Sequence, residues 1–105
     1  MLRYDLIAVD TCSEQTVSDA LYHCASELSL VVSQTSTLAT YPGSTHWHLR
    51  AKAPTGVVEV THCPRSGRIW VACHENRRAS WTAPATLALA RLLAAELGTT
   101  VSEHR

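Results

Sequence analysis

Apolar and polar positions change period several times along the chain, and each change marks an element. Tyr4 to Val9 reads as a first strand. Thr11 and Glu14 then have capping-box spacing, and Val17, Ala20, Leu21, Cys24, Ala25, Leu28 and Val31 recur every three or four residues. This predicts an amphipathic helix over 13–31, with Asp19, His23, Ser26 and Glu27 on its solvent side. Ser33 to Thr37 is polar and reads as a connection, and Tyr41-Pro42-Gly43-Ser44 supplies turn chemistry.

Three strands follow, over 45–52, Val57 to His62 and Ile69 to His74, separated by the turn residues Ala53-Pro54-Thr55-Gly56 and Cys63-Pro64-Arg65-Ser66-Gly67-Arg68. After a polar loop, Thr82 and Pro84 open a last helix that stops before Gly98. The expected fold class is therefore α+β, in β-α-β-β-β-α order, with an antiparallel β-meander and two helices packed on one face. A length of 105 residues suits one domain over 1–105, with no internal repeat.

Alternation sorts the meander into two faces. Four-residue turns would pair Lys52 with Val57 and Cys63 with Arg68, which places Arg50 across from Glu59. Trp47, Leu49, Ala51, Val58, Val60, Ile69, Val71 and Cys73 then form the core face. His46, His48, Arg50, Lys52, Glu59, Thr61, Arg68, Trp70 and His74 share the other face, which nothing in the sequence covers. Trp70 is expected to be exposed there among histidines and arginines, a setting typical of binding hot spots. His46, His48, Arg50, Arg68 and Trp70 are the candidate binding residues.

Composition limits what this face can do. Lysines plus arginines number 9 and acids number 9, but residues 50–78 hold six bases and two acids. That local excess of four favours an acidic partner, and Trp70 and Trp81 beside Arg50, Lys52, Arg65, Arg68, Arg77 and Arg78 would suit stacking on nucleic acid. Zero net charge and a single lysine weaken that reading. No apolar run approaches the roughly 20 residues of a membrane helix, so neither a membrane partner nor an export signal is expected.

Cys12, Cys24, Cys63 and Cys73 form no CxxC pair and are expected as free thiols in a cytoplasmic protein. Cys12, near a helix start, is the one candidate nucleophile, and no phosphate loop or hydrolase motif accompanies it. Catalysis is thus not expected, nor is a cofactor. His46 and His48 project to one side of a strand and can share a metal ion, but the expected register offers no third ligand, because His74 lies far along the sheet and His62 and Cys73 point inward.

The last helix is apolar nearly all round, which suggests burial on two sides and a symmetric dimer. The leading expectation is a non-enzymatic interaction module, homodimeric, meeting a protein or other polar partner through the histidine-bearing face. A weak nucleic-acid binder and a small histidine-based metal-binding protein are the alternatives.

Overall fold

The computed structural model describes residues 1–7 and 13–104. It contains β1 (Leu2–Leu6), α1 (Glu14–Glu27), β2 (Val31–Ser36), β3 (Thr45–Arg50), β4 (Val58–Cys63), β5 (Arg68–Cys73), α2 (Thr82–Leu97) and β6 (Val101–Glu103), with a 3-10 turn over Glu75–Arg77 before α2. The strands form one antiparallel sheet in the order β2-β3-β4-β5-β1-β6, and both helices pack on one face of it. This is the expected α+β meander, extended by two edge strands.

Those edge strands carry little hydrophobic signal. Residues of β2 are mostly exposed, so the run Ser33 to Thr37 reads as a polar connection although it continues a ladder with β3. The helical period also overruns α1, which ends at Glu27 and not near Val31. Ser29 adopts a left-handed φ of 56°, and the Leu30 N–H reaches back to the Ala25 carbonyl at 2.8 Å. This Schellman-type closure turns the chain into β2. At the other end of α1, Ser13 is the cap: its Oγ accepts from the Thr16 N–H at 3.1 Å. The expected cap Thr11 and the candidate nucleophile Cys12 lie outside the described residues.

The core sits between the helices and the predicted inner face. Val17, Leu21, Leu89 and Leu93 close over Trp47, Leu49, Val58, Val60, Ile69 and Val71, all buried. Helix α2 turns Thr82, Thr86, Leu89, Ala90, Leu93 and Ala94 inward, and none of its leucines is among the exposed large hydrophobic residues. Its apolar excess is therefore mainly alanine, a strong helix former that needs little cover. Cys24, Cys63 and Cys73 are free and buried, and burial pushes the Cys24 thiol up to about 11. Among the described residues no helix is long and apolar enough to cross a membrane.

Register within the meander differs from expectation at one connection. Cys63 pairs with Arg68 as predicted, but His48, and not Arg50, stands opposite Glu59. The cause lies between β3 and β4. Instead of a four-residue turn, the chain makes a longer excursion in which the Trp81 indole donates to the Thr55 carbonyl at 2.9 Å and the Val57 N–H donates to the Arg77 carbonyl at 3.1 Å. A two-residue shift keeps every side chain on its predicted face and changes only its neighbours.

Candidate metal centre

The second face of the sheet is not bare. The segment after β2 curls back through a bond from the Leu38 N–H to Ser44 Oγ at 3.2 Å and sets Tyr41 against Trp70, with ring centres 5.2 Å apart. The guanidinium groups of Arg3 and Arg68 lie over the Trp70 ring at 4.4 and 5.0 Å. Trp70 is consequently only 7% exposed, which corrects the expectation of an exposed aromatic. Trp81 is likewise held in place, its indole packed over Gly56 and bonded to Thr55.

Beneath this cover the shifted register brings three possible ligands together. His46 and His48 project from β3 on the same side of the sheet, and Glu59 on β4 stands directly opposite His48. His46 Nε2 lies 2.9 Å from Glu59 Oε1 and 3.2 Å from His48 Nε2, and His48 Nε2 lies 3.5 Å from the same carboxylate oxygen. His46 and Glu59 are 7% and 8% exposed, and His48 is partly buried. Both strands that carry them, β3 and β4, are interior to the sheet, so the backbone positions are rigid.

Those three distances suit a cation. At metal–ligand bonds of about 2.1 Å, adjacent ligand atoms are separated by about 3.0 Å in an octahedral shell and about 3.4 Å in a tetrahedral one. A triangle with the observed edges lets one point about 1 Å off its plane stand about 2.1 Å from all three atoms.

Protons fit the same triangle less well. Glu59 is pushed up by burial, but the hydrogen bond from His46 and the nearby charges of His74, His46 and His48 outweigh this and hold its carboxyl below the usual range. For an ionised Glu59, protons on both ring nitrogens would set two N–H groups 3.2 Å apart around one oxygen. A cation in their place removes that conflict.

The surroundings orient the ligands. Thr61 Oγ1 lies 2.7 Å from His46 Nδ1, and a hydroxyl can accept the Nδ1–H that a metal-bound imidazole presents. Burial holds His48 below the usual histidine range, with Glu59 opposing and the positive charges of His46, Arg77 and Arg50 adding to the effect. His48 is therefore neutral near pH 7, as ligation needs. The second carboxylate oxygen of Glu59 is buried without a hydrogen bond, and the half-exposed His74 brings Nε2 to 3.3 Å from it.

The candidate residues read from the sequence thus separate. His46 and His48 belong to the cluster, Trp70 walls the adjoining space, and Arg68 packs on Trp70 and Tyr41. Arg50 is exposed at the end of β3 and is not one of the three ligands, although its charge reaches His48. Glu59 and Thr61 were legible as members of the face but not as site residues, because the expected Arg50–Glu59 pairing had assigned Glu59 an ordinary cross-strand partner. Comparison with protein-family models, curated proteins and solved structures returned no match, so the chemistry of the cluster rests on its own residues.

Proposed function

We propose that this protein is a small metal-binding domain in which His46, His48 and Glu59 hold one divalent first-row transition ion. The observation that carries the reading is the triangle of ligand atoms with edges of 2.9, 3.2 and 3.5 Å, buried on rigid strands. Two imidazoles and one carboxylate suit zinc or ferrous iron, and three protein ligands leave coordination positions for an outside ligand.

The interaction-module reading has less support. Its exposed anchor, Trp70, is buried, and α2 presents no large exposed apolar side chain for a second copy. Nucleic-acid binding loses its stacking platforms, since both Trp70 and Trp81 are engaged within the fold.

Untagged protein, stripped and titrated with zinc, ferrous and cobalt(II) ions, tests the proposal. Calorimetry is expected to show about one equivalent bound per chain, with affinity reduced about 100-fold or more in His46→Ala and Glu59→Gln that retain the wild-type circular dichroism. Folded wild-type protein that binds none of the three ions, or variants that bind as tightly as wild type, would overturn it.

A further inference from the structure

Beside the ligand triangle, the loop bearing Leu38 and Tyr41 roofs a cleft of about 220 Å³. His46 and Glu59 form part of its lining, so an ion held by them borders the cleft, while His48 is not among the lining residues and stands behind. Trp70, Tyr41, Leu38 and Ala72 make most of the remaining wall, and Thr61 is committed to His46. The space amounts to roughly seven water volumes, room for a body of roughly seven to ten non-hydrogen atoms.

Charge selects the head group. A divalent ion and one carboxylate leave a net positive centre, and the other charged or titratable groups on the cleft are Met1, Arg3, Tyr41 and His74. Arg3 is paired with Asp5 at 2.8 Å, and the Met1 amine stands 3.5 Å from Glu75, a carboxylate it shares with Arg78. Glu59 is the only carboxylate lining the cleft among the described residues, and its charge is spent on the ion. A single negative charge on the ligand offsets the net charge of the ion and Glu59.

We infer that the cleft receives a small monoanionic organic acid whose carboxylate takes an open position on the metal and whose apolar body lies against Trp70, Tyr41 and Leu38. This inference rests on the metal-binding reading above. It names the class of ligand that reading leaves open. An aromatic or branched short-chain carboxylate fits the volume, whereas a polar sugar acid would set its hydroxyl groups against Leu38, Tyr41, Trp70 and Ala72.

Cobalt(II)-loaded protein, titrated with benzoate and separately with acetate, tests the ligand class through the visible absorption of the ion. Benzoate is expected to bind about 10-fold tighter or more than acetate, because only its ring buries apolar area in the cleft. Ala72→Leu, which fills the cleft, is expected to bind cobalt as wild type does and to abolish the preference. Tyr41→Ala, which removes one wall from a surface loop, should reduce it severalfold and serves if the first variant does not fold.

Equal affinity for the two acids, or a preference untouched by both variants, would overturn the ligand class while leaving the metal centre standing. Failure to bind cobalt, zinc or ferrous ion would overturn both.

Discussion

At the scale of single residues, His48 shows how one proton position opposes or permits ligation. Arg77 Nη1 lies 3.3 Å from His48 Nδ1, and a guanidinium can only donate, so Nδ1 must be the accepting nitrogen while that contact lasts. An ion on Nε2 requires the proton on Nδ1, where it would face another donor. Thr61, by contrast, serves His46 in either state, because its hydroxyl donates or accepts. Arg77→Ala is therefore expected to tighten metal binding severalfold, by removing both a competing donor and a positive charge beside the ion; unchanged or weaker binding in a competition titration would refute this. The sequence makes the histidine pair legible through strand alternation, but the third ligand depends on which residue faces His48 across the ladder. That choice follows from turn length, which local residue preferences specify poorly.

Among the elements, the β3–β4 connection decides the site's composition. Gly56 has φ of 103°, a region costly for other residues, and a side chain there would meet the Trp81 indole nitrogen at 2.6 Å. The approach of Trp81 to this glycine is what lets the residue capping α2 clamp a connection remote in sequence. Gly56→Ala is expected to destabilise the fold by about 2 kcal/mol or more, read as a lower urea midpoint, and to weaken metal affinity by loosening the His48–Glu59 register. A variant as stable as wild type would show that the clamp does not hold the turn. Elements with a buried stripe or a clean alternation, α1, α2 and β3 to β5, are readable from pattern because burial imposes the period. Strand β2 and the three-residue β6 bury too little to impose one, and they form because neighbouring strands offer them backbone partners.

For the whole molecule, buried histidines couple stability to pH. His62 is 1% exposed on the helix-facing side of β4, with no hydrogen-bond partner on either ring nitrogen among the described residues. Burial holds it below its ordinary value of 6.5, with Glu14 opposing weakly from α1. The native state therefore resists a proton that the unfolded chain accepts, so stability is full above 6.5 and falls as the pH drops below it. His48 acts in the same direction. Glu59, held below its ordinary 4.5, keeps its contribution until a lower pH, and His23, raised by its bond to Glu96 but fully exposed, works weakly in the opposite sense.

The unfolding free energy from urea titration is expected to fall between about pH 7 and pH 5, by at most about 1.4 kcal/mol per pH unit for each of His62 and His48, with a shallower fall in His62→Leu. A slope identical in that variant would remove His62 as the cause. Residue order alone determined the class of fold, the inner and outer faces of the meander and the two histidines on one side of a strand, because periodicity records burial wherever an element is half buried. Only the tertiary structure decided that Glu59 faces His48, that Tyr41 and two arginines bury Trp70, and that a cleft adjoins the ligand triangle. Each of these depends on contacts between residues distant in sequence, and no local pattern encodes them.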